Sequence, residues 1–421
     1  MNISRRIFLK GATVIAVNTF LNPIKVFSSE GKWDMSDKFG YKTELKSIIS
    51  GFDKVTCWVH ARAGAIPPDT EGENPVVILT MQKLLLSGSD VFYALNEMRS
   101  EDMGETWSGP VEHSGLGRRE EPDGVQACIC DFTPKWHAKT RKLLGTGHIA
   151  RYRNNSLIHE PRRRDTAYSV YDKDNQTWTP WKILKMPDDE KFFSSGAGST
   201  QRVDLEDSTI LLPVYFHAPQ KGDPVNSATV VRCSFDGEKL TYLDHGDELI
   251  VEEPRGLCEP SLAVHKGRFF LTMRNDVKGY VSVGDDGLHF SSPKPWTFDD
   301  GSELGNYNTQ QHWASHSDGL FLLYTRRGAD NDHVFRHRAP LFMARVDTEK
   351  LCVIRDTERI IIPERGARLG NFGVMELNQQ QTWVIDAEWM QPVGCEKYGS
   401  DNSVFIAKIL WNKPNLQVMK Y

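Results

Sequence analysis

SEDMGETW, residues 100–107, places Asp102, Gly104, Thr106 and Trp107 at fixed intervals between two strand-like runs, VFYALNEM before it and the segment opening at Trp107 after it. Asp hydrogen-bonds its own backbone and Gly accepts a positive φ, so the octapeptide predicts the turn of a β-hairpin. The order of strand, acidic turn and strand returns three times. It is found in AYSVYDKDNQTWTPW (167–181, with Asp174, Thr177 and Trp178), ATVVRCSFDGEKLTYL (228–243, with Asp236 and Gly237) and YVSVGDDGLHFSSP (280–293, with Asp286 and Gly287). Two fainter hairpins, PLFMARVDTEKLCVI (340–354) and SVFIAKILWNKPNLQVM (403–419), keep the strand pair without the Asp/Gly turn.

Between consecutive hairpins lie two more strand-like runs, as in EPSLAVHKGRFFLTMR, where a Lys-Gly turn separates SLAVH from RFFLTMR. Four short strands per unit, in units spaced by roughly 50 to 70 residues, predict an all-β chain: a six-bladed β-propeller, with a seventh blade left open. No segment beyond the N-terminus keeps a helical apolar period for three turns, and no linker splits the repeats. Residues 45–421 therefore read as one domain.

A chain of 421 residues with a net charge of -5 has a large core and none of the basic field that nucleic-acid binding requires. Residues 1–30, opening MNISRRIFLKGATVIAV, read as an export signal. SRRIFLK (4–10) matches the twin-arginine consensus, which implies export of a folded chain to the periplasm or beyond. No later apolar run is long enough to span a bilayer, so no membrane attachment is expected after signal removal. Seven cysteines, an odd number without a C-x-x-C pair, form no zinc pattern. Cys128 and Cys130 share one face of a strand and read as small buried hydrophobes. A propeller with closed rims needs no partner to hide a sheet edge, so a monomer is expected.

The S-x-D-x-G-x-T-W turns, at third-to-fourth strand connections, resemble the Asp boxes of the sialidase (neuraminidase) superfamily, over nearly the whole chain after residue 45. The resemblance implies a sialidase-type propeller, with these turns on the outer rim and the chemistry elsewhere. In a propeller, function is sought on the axial face where innermost strands start and second strands end. The starts supply Arg62, Gln201, Glu259, Gln311, His312 and Arg368; the ends supply His148, Tyr215, His217, Arg274 and Arg326; a charged insertion, 325–342, adds His337. Several guanidiniums around one pocket repel unless an anion joins them, so a carboxylate or sulfate ligand is expected, with a structural ion-pair lattice through Glu259 and Glu388 as the alternative. Glu259 and Arg274 are similar to the sialidase pairing of a strand-opening Glu with a triad Arg. The likeness implies that Arg274 binds a sugar carboxylate and that Glu259 supports a neighbouring base. Arg62, in RAGAIP, resembles the F/Y-R-I-P segment, and Arg326 or Arg368 completes a triad.

The likeness breaks at the nucleophile. Gln310 stands where sialidases place a Tyr before the fifth-blade D-G turn, Tyr307 comes too early, and the flanks of Asp90 do not match those of the catalytic Asp. The site pattern is closer to sialidase-fold polysaccharide lyases of the ulvan lyase type, with a His after a G-H motif and a Tyr ending a second strand. His148 in GHIARY and Tyr215 in LLPVYFH match; the further His of those lyases is replaced by Cys128. The expected function is elimination on an acidic, uronate-containing poly- or oligosaccharide, of lyase or dehydratase type, with His148, Tyr215 and His217 moving protons. Exo-α-sialidase-like hydrolysis and catalysis-free glycan binding are the alternatives. No cofactor is required, and a divalent metal stays open.

Overall fold

Every residue of the strand Ile210–His217 is buried, and so is all but the first residue of Thr56–Ile66. Strands of this kind are covered on both faces, which in an antiparallel protein means sheets packed against sheets. Tyr41–Ile49 instead is mostly exposed, as an outermost strand should be. The computed structural model describes residues 39–159, 161–220 and 222–418, which belong to the compact unit Asp37–Tyr421. The export segment expected at residues 1–30 lies outside them.

Among the described residues the main strands form six antiparallel sheets. The first runs Thr56–Ile66, Val76–Leu85, Phe92–Ser100, Ser108–Glu112. The second is built on Val125–His137, Lys142–Arg153 and Thr166–Asp172, the third on Ser194–Gly196, Ile210–His217, Ser227–Phe235 and Leu240–His245. The fourth holds Cys258–His265, Arg268–Arg274 and Tyr280–Gly284, the fifth His312–His316, Gly319–Tyr324 and Leu341–Asp347. The sixth holds Gly373–Asn378, Gln381–Ala387 and Val404–Trp411, and the N-terminal strand completes it, Tyr41 opposite Trp411. Successive sheets touch in chain order, and the last touches the first. This is a β-propeller arrangement. An axial cavity of about 310 Å³ is lined by Ala63, Pro134, Arg202, Leu262, Trp313 and Val374, one from each inner segment.

The 100–107 turn braces one sheet against another. Asp102 accepts hydrogen bonds from the Thr106 hydroxyl (2.5 Å) and from the Glu105 and Thr106 amides, which hold its carboxyl down at about 2. Gly104, at φ 79°, lies against Trp383 of the sixth sheet, where a Cβ would come within 2.8 Å of the indole. Lys408 of that sheet donates to the Met103 carbonyl (2.9 Å), and Lys46 of the N-terminal strand to the Gly104 carbonyl (3.0 Å). The corresponding turns use Asp236 and Asp286 as expected. In the second sheet Asp172, rather than Asp174, accepts the turn amides. Asp347 makes the same turn without a glycine, so this repeat keeps the chemistry that its sequence obscured.

Trp178, Trp296, Trp313 and Trp383 are fully buried. The seven cysteines are free, all but Cys395 buried among apolar side chains, as read for Cys128 and Cys130. No helix among the described residues is long and apolar enough to cross a membrane.

Candidate active site

The innermost strands do not enter the axial face as regular strands. Register shifts fall between Val59 and Arg62, between Cys130 and Thr133, and between Cys258 and Ser261. At these bulges His60, Asp131 and Glu259 take positive φ values of 56°, 52° and 46°. A bulge inserts one residue, breaks the alternation and re-aims a side chain. Here it turns polar groups toward the axis from runs that otherwise read as core.

The floor is a buried polar network. Arg62, 0% exposed, directs Nη2 to Asp131 Oδ1 (3.1 Å), Ser199 Oγ (2.8 Å) and Gln310 Oε1 (3.1 Å), and its Nε donates to the Phe372 carbonyl (3.4 Å). Ser199 also donates to Asp131 (2.5 Å), and His60 Nε2 lies 3.3 Å from the same oxygen. Burial alone would raise Asp131, but the charges of His60, Arg62 and His148 hold it well below the usual carboxylate range. One guanidinium thereby ties together inner segments of five sheets. Cys130, Asp131 and His148 bring three metal-type donor atoms within 4.8 Å of one another. The Arg62 guanidinium on that carboxylate opposes a divalent ion, so the set does not fit a metal.

Above the floor stands a ring of cations. Arg162, Arg164, Arg255, Arg274, Arg336, Arg338 and Arg368 act on one another electrostatically, and Asp90, Glu259 and Asp276 are the carboxylates that act on them. Glu259 is taken by Arg274 (2.6 Å), and Asp276 by Arg255 (3.2 Å) and Arg274 (3.1 Å). The remaining guanidiniums have no carboxylate within ion-pair distance among the described residues. Arg338, 4% exposed, donates to the side chain (3.1 Å) and backbone of Asn308, and its Nε is buried without a partner. Burial and the neighbouring Arg274 and Arg368 press its pKa well below the usual value. Arg368, 6% exposed, donates to Gln391 (3.3 Å) and lies between Trp389 (4.3 Å) and Phe335 (5.2 Å); burial, reinforced by Arg336, lowers it to about 10.

Arg164, 5% exposed, sits 4.6 Å above the Tyr215 ring, and its side chain makes no hydrogen bond to a described residue. Tyr215 and His217 are two apart on Ile210–His217 and so share a face. No described residue hydrogen-bonds the Tyr215 hydroxyl. Burial, opposed by Arg164, raises it above its ordinary value, so it stays protonated. His217 faces the Ala218 carbonyl through Nδ1 (2.8 Å). A carbonyl only accepts, so Nδ1 carries the proton and Nε2, buried without a partner, keeps its lone pair. Burial, with Arg164 and Arg162, lowers the His217 pKa and keeps the imidazole neutral.

His148 joins this group less directly. Its ring lies 6.3 Å from that of Tyr215, its Nε2 is 3.8 Å from Asp131 Oδ2, and its Nδ1 abuts Gly198, where a Cβ would stand at 1.8 Å. Burial, with Arg164 and Arg162 against Asp131, lowers it to about 3.

The other expected site residues are placed as follows. Arg274, Glu259 and Arg368 belong to the ring. Arg62 lies beneath it, with Nη2 and Nε tied to the scaffold and Nη1 buried without a hydrogen-bond partner. Arg326 is not in the ring: Glu358 holds it at 2.8 Å and Phe342 packs on it at 4.8 Å, both across the fifth sheet. Gln201 clamps the Trp313 backbone through both amide atoms (2.6 and 3.0 Å), and Gln311 bonds Thr309 and Thr272. His312 is enclosed by Ser261 and Gln310, and His337 bonds Tyr307 (2.5 Å) and Asp332. These four have partners within the scaffold. Arg164, Arg338 and Asp131 were missed. Arg164 ends the exposed-looking run Arg162–Arg164, Arg338 lies in the 325–342 insertion, and only the bulge at Asp131 gave that residue an inward direction.

No family model and no curated protein matches the chain. Solved structures do. A protein of unknown function from Dyadobacter fermentans aligns with TM-score 0.58 at 12% identity, over 88% of this chain and 99% of that one. A Hadza microbial sialidase aligns with TM-score 0.58 at 12% identity, over 89% of this chain and 69% of that one. Trypanosoma rangeli sialidase aligns with TM-score 0.55 at 12% identity, over 88% of this chain and 59% of that one. At such identity the likeness is one of fold, and the fold is the sialidase-type β-propeller.

Proposed function

We propose that this chain, a propeller of six blades with one for each sheet, is an enzyme that cleaves an acidic glycan by elimination beside a carboxylate. The observation that carries the reading is the side-by-side placement of Arg164, His217 and Tyr215: a guanidinium and a phenol with no hydrogen-bond partner among the described residues, and an imidazole whose Nε2 keeps its lone pair. Arg164 pairs with the uronate carboxylate and so acidifies the proton on the adjacent ring carbon. His217 Nε2 takes that proton. The electrons of the broken C–H bond form a carbon–carbon double bond, the bond to the β-oxygen breaks, and the Tyr215 hydroxyl protonates the leaving oxygen. Proton transfer from His217 back to Tyr215 through solvent restores the site, and no oxidant or reductant is consumed. His148, held beneath by Asp131 and Gly198, fixes the wall against which Tyr215 stands. The SRRIFLK motif supports export as the route by which the enzyme meets such a glycan.

The test is ultraviolet absorbance of the unsaturated product during incubation with uronate-containing polysaccharides and oligosaccharides. Absorbance that rises with the native protein and stays flat with Tyr215→Phe and His217→Ala is expected. A flat trace together with release of a sialoside leaving group would instead favour hydrolysis. The specific observation behind that second reading is Asp90, whose charge acts on Arg162, Arg336 and Arg368. Against it, the Tyr307 hydroxyl is engaged by His337.

A further inference from the structure

We infer that the cleft holds two separate anion subsites, so that its ligand is a glycan with acidic groups on at least two different sugars. The inference rests on the acidic-glycan reading above and names the substrate class more closely. The first subsite is Arg164, at the junction of the second and third sheets, where the Arg164 backbone bridges to Ser194. The second is Arg368 with Arg338, on the far side of the axis. Arg368 bridges to Trp389 in the sixth sheet, and Arg338 enters from the fifth.

A buried guanidinium without a counter-charge is costly, and nearby like charges raise that cost. On the far side Arg338 and Arg368 oppose each other, and each has a buried Nε–H with no partner. Their hydrogen-bond acceptors, Asn308 and Gln391, are uncharged. Of the carboxylates that act on this pair, Glu259 already belongs to Arg274, and Asp90 makes no ion pair with Arg368. A single uronate carboxylate placed at Arg164 for the chemistry leaves the far pair without a carboxylate at ion-pair distance, since the two lie on opposite sides of the propeller axis. The far pair is also shaped for a sugar. Trp389 is buried beneath Arg368, while Phe335 is exposed beside it and presents an aromatic face at the cleft edge. The shared chemistry is a planar or tetrahedral oxyanion, carboxylate or sulfate, on the second sugar.

Binding is measured by calorimetry in a Tyr215→Phe background, so that nothing is turned over. The probes are a disaccharide with a carboxylate on each sugar, the same disaccharide with the second carboxylate methyl-esterified, and a counterpart carrying sulfate at the second sugar. The second acid is expected to tighten binding by about tenfold or more, as a charge-assisted bidentate contact should. Arg368→Gln is expected to remove that difference, with an unaltered melting temperature as the folding control. The carboxylate and sulfate arms show which oxyanion is preferred. Equal affinity for mono- and di-acid probes, a gain that survives Arg368→Gln, or no binding to any probe overturns the proposal. Because no turnover is read, loss of the elimination activity with a retained di-acid preference sinks only the mechanism, not the second subsite.

Discussion

Arg62 and Arg164 are both almost inaccessible guanidiniums at the same end of the propeller, and they differ in everything else. Arg62 has Asp131, Ser199, Gln310 and the Phe372 carbonyl within hydrogen-bond distance and joins inner segments of five sheets. Arg164 has the face of Tyr215 and no hydrogen-bonding partner among the described residues. Burial of an arginine therefore does not mark a ligand site; its missing counter-ion does. The first arginine holds the scaffold, and the second meets no carboxylate at ion-pair distance among the described residues.

Asp131→Ala should have the largest effect. It strands Arg62 and removes the acceptor shared with Ser199 and His60, and breaking a buried pair in this way costs about 3–5 kcal/mol. Urea unfolding monitored by tryptophan fluorescence measures it, and a loss under about 1 kcal/mol would erase the contrast between the two arginines. Arg164→Gln should do the reverse. It removes a buried charge that has no partner among the described residues, so the melting temperature stays level or rises, while elimination slows by roughly a hundredfold or more because the carboxylate loses its neutralising group. A fall in melting temperature as large as that of Asp131→Ala would make Arg164 part of the scaffold as well.

Acid separates the floor from the ring. His148 and His312 are lowered to about 3 by burial, so in the unfolded chain they bind protons that the folded chain refuses. Stability is then fully present above the ordinary histidine value of about 6.5 and declines as pH falls from there toward 3. Asp131, also lowered, works in the same direction at the acid end of that range. Urea midpoints across this range should fall, and His312→Gln should flatten the slope. Activity should follow His217 separately. Its pKa is depressed, so the base is neutral at pH 7, and the acid limb of kcat/KM should lie below about 6.5. An acid limb at or above that value would exclude His217 as the base.

The smallest effect is expected at the rim. Lys408→Met loses the bond to the Met103 carbonyl and should cost on the order of 1 kcal/mol, with unchanged glycan turnover. A change in turnover would mean that the brace between the first and sixth sheets reaches the site.

The repeat turns were legible because their chemistry is local. Asp102 bonds amides three and four residues on, and Gly104 meets a need for positive φ that any reader of the sequence can anticipate. The same locality made Asp347 hard to see, since the turn works with an acid alone. Site residues at strand ends were legible in part: Arg274, Glu259, Tyr215 and His217 fall where the four-strand unit places them. Arg326 follows the same rule and faces elsewhere, because Glu358 claims it, and His312 is taken into the floor by Ser261 and Gln310.

From sequence alone come the all-β repeat architecture, the rim turns and the polar character of the axial strand ends, each set by contacts within a few tens of residues. The tertiary structure alone decided which polar groups meet. His60 and Asp131 turn inward through bulges whose positive φ is stabilised only by the network that they form, and Arg338 reaches the ring from a loop with no strand signal. Whether a guanidinium is matched or left waiting depends on carboxylates dozens to hundreds of residues away, and that distance is closed by sheet packing.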